Sequence, residues 1–287
     1  MFDRVCLVGV GLINGSLAKD LKRLDLARTI TGLGRDRERL AGAHSAGLID
    51  DFALLADADV TDADLVVLGV PVAKTAEVLE AIHPSLGSAT LLTDVGSTKC
   101  SVIQAAQQVF DGLPAQFVPG HPIAGSEQIG YEHAKGQLFD GCRVILTPTE
   151  NTDAEALQRI RAMWQAVGAK VDELSADRHD LILSATSHLP HMVAYTLVNY
   201  LEAKPEADQI FDYAAAGFYD FTRIASSSPA MWTDICMANR EQLLVSIEGF
   251  GQLLKELHSL ISDDKEEALY AFLEQAKHLR DHNSSKK

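Results

Sequence analysis

The sequence is poor in positive charge. Its 25 lysines and arginines stand against 40 aspartates and glutamates, a formal net charge of −15. Such a chain repels polyanions, which argues against nucleic acid or an anionic membrane surface as a partner. Any anionic ligand must then be met by basic residues concentrated locally. Cysteine is scarce as well. Cys6, Cys100, Cys142 and Cys236 are scattered without a CxxC pair, which argues against a zinc knuckle or redox dithiol and for reduced thiols. No apolar run approaches a membrane span, and the first residues pass almost at once into a strand without a signal peptide, so the expected location is cytoplasmic. What is present is 287 residues, 47% hydrophobic and 23% charged, a soluble globular composition with length for two domains.

The chain is organised around Val5 to Ser16, VCLVGVGLINGS. A β-branched apolar run stops at Gly9, and an apolar-periodic helix (Leu12, Ile13, Leu17, Ala18, Leu21) follows with almost no loop. In a dinucleotide site, Gly9 allows the tight turn and Gly11 the close approach of a pyrophosphate. The N–H groups of Leu12 and Ile13 then attract the phosphate charge. Asn14 stands where a GxGxxG fingerprint has its third glycine, and Gly15 comes one residue late. The plainer reading is an ordinary strand, turn and helix that binds nothing.

Further strands are expected at Thr29–Gly34, Asp64–Pro71, Thr90–Asp94, Phe117–Pro119, Arg143–Pro148 and Lys170–Leu174. Helices are expected at Ala73–Ile82, from near Lys99, and at Asp153–Val167. This alternation predicts an α/β dinucleotide-binding domain with a mostly parallel, Rossmann-like sheet over residues 1–174. Several strands end in glycine-containing or polar turns at what would be one sheet edge, where such folds bind ligands; Val70 and Pro71 close one of them. Over residues 175–287 the period becomes helical: Ala176–Leu201, Pro229–Ser262 (with Ser228 as N-cap) and Asp264–Leu279. Stripes such as Leu243, Ile247, Phe250, Leu254, Leu257 and Ile261 need a partner surface, which a homodimer core would supply. The tail from Asp281 to Lys287 is polar and is expected to fray.

Cofactor choice turns on the end of the second strand. NAD-binding domains place an acid there, roughly 20 residues past the glycines, for the ribose hydroxyl. Here the strand ends in Gly34, followed by Arg35 and Arg37. Loss of the carboxylate and gain of guanidinium groups predict NADP in preference to NAD. NAD remains possible if Asp36 serves as the ribose acid, and the alternative is a solvated helix start.

His121 sits in GHPIAGSE after a strand, where loop geometry would direct its ring toward bound nicotinamide. His188 and His191 lie three apart on a helix, and Pro190 should kink it. Without Glu-x-x-His or HExxH the pair does not read as a metal site, and no metal is expected. Asp220 and Arg223, in GFYDFTRIA, read alone as a surface pair.

In order and separation, GVGLINGSLA, LGVP, TDVGSTK, GHPIAGSE, SHLPH and DFTRIA resemble the prephenate/arogenate dehydrogenases of tyrosine biosynthesis, over essentially the whole chain and in the monofunctional form. The resemblance implies oxidative decarboxylation of a cyclohexadienol and a C-terminal helical dimerisation domain. It implies His121 as the base, Ser97 close to the carbinol and nicotinamide, and Arg223 on a substrate carboxylate. His188 and His191 would line the pocket, with Ser126 and Glu127 at its mouth and Glu127, Asp220 and Arg223 in a gating charge network. Tyr219 occupies a position where some relatives have a basic residue, which predicts acceptance of arogenate. The rival readings are a dehydrogenase for another hydroxy acid, normally lysine-centred, and a cofactor-sensing regulatory protein with a dead site.

Overall fold

The computed structural model describes residues 2–284. The chain divides into two compact units, Met1–Arg240 and Glu241–Lys287. In the first, β1 (Phe2–Val8), β2 (Ala27–Gly34), β3 (Asp51–Leu54), β4 (Leu65–Leu68), β5 (Leu91–Asp94) and β6 (Phe117–Val118) form one parallel sheet. Its strand order, β3-β2-β1-β4-β5-β6, is that of a doubly wound dinucleotide-binding domain. Val5 to Val8 and Leu65 to Leu68 are almost wholly buried, because helices cover both faces of such a sheet and strands within it need continuous apolar runs. The crossovers are α1 (Leu12–Arg23), α2 (Arg37–Ser45), α3 (Thr75–Ile82) and α4 (Cys100–Phe110). The short strand β3 carries no buried side chain and was not expected from the sequence pattern.

Two expected members of the alternation lie elsewhere. β8 (Arg143–Leu146) and β9 (Lys170–Glu173), joined by α5 (Ala154–Ala166), form a second sheet with β7 (Gly120–Ile123), in the order β7-β8-β9. β7 runs antiparallel to β8, with His121 opposite Ile145. His121 therefore sits on a strand, and the loop expected for it begins only after Ile123. Phe139 and Trp164 meet edge to face at 5.1 Å within the core.

From Ala176 the chain is helical. The expected helix at Ala176–Leu201 is three pieces: α6 (Ala176–Leu183), a π-helical turn (Ser184–His188) and α7 (Leu189–Glu202). The interruption answers to Pro190, which lacks an N–H and sits in the first turn of α7. α8 (Ala207–Asp212) and α9 (Ala216–Thr222) follow. The expected run Pro229–Ser262 divides at Asn239 into α10 (Pro229–Ala238), whose N-cap is Ser228, and α11 (Arg240–Ser262).

The second unit consists of most of α11 and of α12 (Glu266–Ser284). The tail is not frayed from Asp281 as expected: α12 continues to Ser284, and residues 285–287 lie outside the described residues. Among the described residues no helix is long and apolar enough to cross a membrane.

Candidate active site

The glycine turn joins β1 to α1. Gly9 has φ +82, and a Cβ there would lie 2.5 Å from the Gly69 carbonyl oxygen at the end of β4. Only glycine fits that crossing without strain. Gly11 is different, since a Cβ there would meet nothing within 4 Å. It caps α1 without a side-chain hydrogen bond, and the first turn carries no acid. The amides of Leu12 and Ile13 therefore lie at an uncapped helix N-terminus with open space in front. That arrangement fits a pyrophosphate. Val70 borders the turn, its Cγ1 lying 2.9 Å from that same Gly9 Cβ position, and Pro71 follows it, exposed.

Asn14 has a structural use that explains the departure from a third glycine. Its Nδ2 donates to the carbonyls of Val8 and Val67, both at 3.2 Å, and so ties β1 to β4 beneath the turn. Gly15 supplies the close packing instead, since a Cβ there would lie 2.9 Å from the Ala134 Cβ. Gly34 ends β2, and Arg35 and Arg37 are exposed beside it. Asp36 caps α2, its Oδ1 accepting from the amides of Glu38 at 3.0 Å and Arg39 at 3.1 Å.

β5 delivers Ser97, and β7 delivers His121, to the same sheet edge. Asp94, the last residue of β5, accepts from the Gly120 amide at 3.0 Å and the Gly96 amide at 2.8 Å, and pairs with the ammonium of Lys99. Lys99 also donates to the Gly120 carbonyl at 2.7 Å. Both backbone groups of the residue before His121 are thus fixed by one buried ion pair. Burial draws the Lys99 pKa down, with Asp94 pulling the other way. Ser97 lies partly exposed in the intervening turn.

Behind His121 stands a second acid. His121 Nδ1 lies 2.8 Å from His179 Nε2, and His179 Nδ1 lies 2.7 Å from Asp180 Oδ1. Asp180 also accepts from the amides of Lys99 at 2.8 Å and Cys100 at 2.9 Å, at the start of α4. Burial works to raise the Asp180 pKa, yet the His179 bond and the two amides outweigh it and the net direction is down. Burial, with His179, Lys99 and His188 nearby, holds His121 well below 6.5. Burial thus favours the neutral ring of His121 over its cation, and a neutral imidazole has one nitrogen free to take a proton.

His188, at the end of the π-helical turn, is buried, and burial brings its pKa to about 4. Asn239 Nδ2 lies 3.2 Å from its Nδ1 and donates at 2.8 Å to the Asp180 carbonyl. His191 stacks on Trp232 at 3.8 Å and donates from Nδ1 to the Ser187 carbonyl at 2.8 Å; burial also lowers its pKa. Ser126 is exposed, its Oγ accepting from the Gln128 amide at 3.3 Å. Glu127 and Arg223 form an ion pair, whereas Asp220, exposed on α9, has no ion pair among the described residues. The structure thus brings together two of the three charges expected to form a network. Among the described residues no cluster of three metal-ligating side chains occurs.

Sequence reasoning missed Asp94, Lys99, His179, Asp180 and Asn239 as members of this cluster. TDVGSTK and DRHDL contain four of them, but only the fold brings the two segments together.

The sheet order, the glycine turn over an uncapped helix and an imidazole at the same edge define a pyridine-nucleotide dehydrogenase. Residues 17–173 match the nucleotide-binding domain of prephenate dehydrogenase, and residues 175–275 match its dimerization domain. The chain belongs to the prephenate dehydrogenase family. It is 36% identical over 285 residues to prephenate dehydrogenase of Bacillus subtilis, covering 98% of this chain and 76% of the relative. It is 35% identical over 281 residues to cyclohexadienyl dehydrogenase of Zymomonas mobilis, covering 96% and 95%. The crystal structure of Aquifex aeolicus prephenate dehydrogenase with hydroxyphenyl propionate and NAD+ superposes with a TM-score of 0.91 at 37% identity, covering 98% of each chain.

Proposed function

We propose that His121 acts as the base in this chain's reaction, the oxidative decarboxylation of a cyclohexadienol in tyrosine biosynthesis. Prephenate and arogenate carry a ring carboxylate para to a carbinol. Oxidation at the carbinol lets the carboxylate leave as CO2 while the ring becomes aromatic. The nicotinamide, when bound, supplies the hydride acceptor. The chain supplies orientation and a proton acceptor as the carbinol oxygen develops carbonyl character. His121 takes the hydroxyl proton, Ser97 holds the hydroxyl beside it, and Arg223 binds a substrate carboxylate once Glu127 releases it. His188 and His191 bound the pocket. Ser126 and Glu127 stand at its mouth, and Asp220 contributes charge there.

The observation that carries this reading is the anchoring of Gly120 by Asp94 and Lys99, which fixes His121 at the sheet edge beside the turn that bears Ser97. His121→Asn is expected to lower kcat by about 10²–10⁴ with cofactor affinity unchanged. Turnover near the wild-type rate would exclude His121 as the base.

NADP is the preferred cofactor, with NAD possible. Gly34 removes the ribose acid, and the Asp36 carboxylate is already engaged by two helix amides, which leaves Arg35 and Arg37 to meet a 2′-phosphate. Gly9, Gly11, Leu12, Ile13, Val70 and Pro71 form the rest of the site. The measurement is kcat/KM with each cofactor; parity, or preference for NAD, would remove the claim. Arogenate is accepted as well as prephenate, since Tyr219 provides no cation to select the keto acid over the amino acid. Activity confined to prephenate would defeat that. The nucleotide-binding domain spans residues 1–174 and the helical domain residues 175–287. The latter forms the homodimer in a cytoplasmic enzyme.

A further inference from the structure

We propose that His179 and Asp180 are positioning residues that decide which nitrogen of His121 is basic and hold the positive charge produced when that base is used. The proposal rests on His121 being the base. A carboxylate only accepts, so the nitrogen of His179 that faces Asp180 Oδ1 at 2.7 Å must be the one carrying hydrogen. In neutral His179 the other nitrogen, Nε2, then has only a lone pair. It faces His121 Nδ1 at 2.8 Å and accepts from it. His121 is thereby held with hydrogen on Nδ1 and a lone pair on Nε2, the nitrogen left for substrate.

The surroundings also decide where the charge goes. From the start of α4, Lys99 faces His121 with its ammonium bonded to Asp94 and to the Gly120 carbonyl. From the π-helical turn comes His188, and from α6 come His179 and Asp180. An imidazolium at His121 would stand near the Lys99 cation, whereas an imidazolium at His179 stands against the Asp180 carboxylate. As the substrate O–H bond breaks, its electron pair stays on oxygen and its proton forms a bond to His121 Nε2. The Nδ1–H bond breaks in turn, and that proton passes to His179 Nε2. One proton has left the substrate, His179 carries the charge, and Asp180 stays ionised, supported by the Lys99 and Cys100 amides at the N-terminus of α4. The same bonds return the proton through His121 after the product leaves.

The test combines kcat against pH, with prephenate or arogenate and NADP, for the wild type, His179→Leu, His179→Gln and Asp180→Asn, with 15N NMR of His121 in the wild type. His179→Leu is expected to lose about 10²-fold in kcat. His179→Gln keeps an acceptor for Nδ1–H and is expected to recover about tenfold of that loss by preserving the tautomer. In Asp180→Asn the cationic form loses its counter-charge, so the acid limb of the profile moves to lower pH by about one unit while the plateau falls. Cofactor KM stays unchanged throughout. Because Asp180 also caps α4, His179→Gln, which leaves the cap intact, keeps the outcome independent of folding. Limbs unmoved in Asp180→Asn, His179 variants at the wild-type rate, or NMR showing hydrogen on His121 Nε2 would overturn the proposal. If His121→Asn is inactive and the His179 variants are normal, the relay alone fails. If His121→Asn is active, the base assignment fails with it.

Discussion

The sheet-bearing part of the molecule and its last two helices solve the same problem in opposite ways. In the parallel sheet and its helices, Leu7, Leu17 and Leu65 are fully buried within one chain. Along α11 and α12, Ile247, Leu253, Leu254, Ile261 and Leu273 remain between 41% and 58% exposed, although they recur at helical spacing. Leu243 is the only buried apolar residue among the described residues of that second unit. A stripe of that kind has its burial still to find, and a second subunit is the partner that the dimerization-domain match supports. The first region is closed by its own residues, whereas the second leaves its apolar stripe exposed within one chain.

The sharpest way to break that contrast is Lys99→Met, which leaves Asp94 buried without its partner and frees Gly120. The expected loss is about 3–5 kcal/mol in urea unfolding, independent of protein concentration. An unchanged midpoint would mean that the sheet does not depend on this pair. Next comes acid. His188 has a folded pKa of about 4 against an ordinary 6.5, so the unfolded chain takes up a proton below pH 6.5 while the folded one does not. Stability is therefore lost as pH falls from about 6.5 to about 4, on the order of 3 kcal/mol, and that loss then levels off. His121 and His191 shift in the same direction. Melting curves should show the wild type losing this stability on acidification from about pH 6.5 to about pH 4, while His188→Gln, which has no ring to protonate, lacks that part of the loss.

Leu254→Asp probes the other region. It should raise the dimer dissociation constant by roughly ten- to hundredfold, the equivalent of about 1.5–3 kcal/mol, seen by sedimentation. The Tm of the variant should also depend more steeply on concentration. No change in assembly would place the interface elsewhere. The smallest effect belongs to Asn14→Gly, which restores the third glycine but removes two hydrogen bonds between β1 and β4. About 1–2 kcal/mol should be lost with cofactor KM unchanged; a rise in KM without loss of stability would make Asn14 a cofactor ligand.

Local patterns made much of the fold legible. The run Val5 to Val8, the glycines and the apolar period after them specify β1, its turn and α1 from adjacent residues alone. β7 was hidden by Pro122, since proline argues against a strand unless the strand lies at a sheet edge, and here it does. β3 is a four-residue edge strand with no buried side chain, so it left no apolar signature. The site was legible as far as His121 and Ser97, which sit in distinctive motifs. In the sequence Lys99 marks only where a helix begins, and its burial, made tolerable by the Asp94 carboxylate, has no local signature. His179 and Asp180 fall within the expected helix at Ala176–Leu201 with no motif to mark them. Their meaning comes from β7, 58 residues away in the chain.

The π-helical turn at Ser184–His188 carries a consequence for mutation. There Leu189 donates to the Ser184 carbonyl, five residues back, so the turn holds one residue more than an α-helix would. Deleting a residue between 184 and 188 would convert this five-residue turn into an α-helical one, and because a turn of either winding covers nearly the same angle and rise, the helices on either side would stay close to their present alignment. The effect would fall inside the turn, on the placing of His188 against Asn239 at 3.2 Å. A deletion there separates two things that a point substitution cannot, the seat of one imidazole and the course of the helix that carries it.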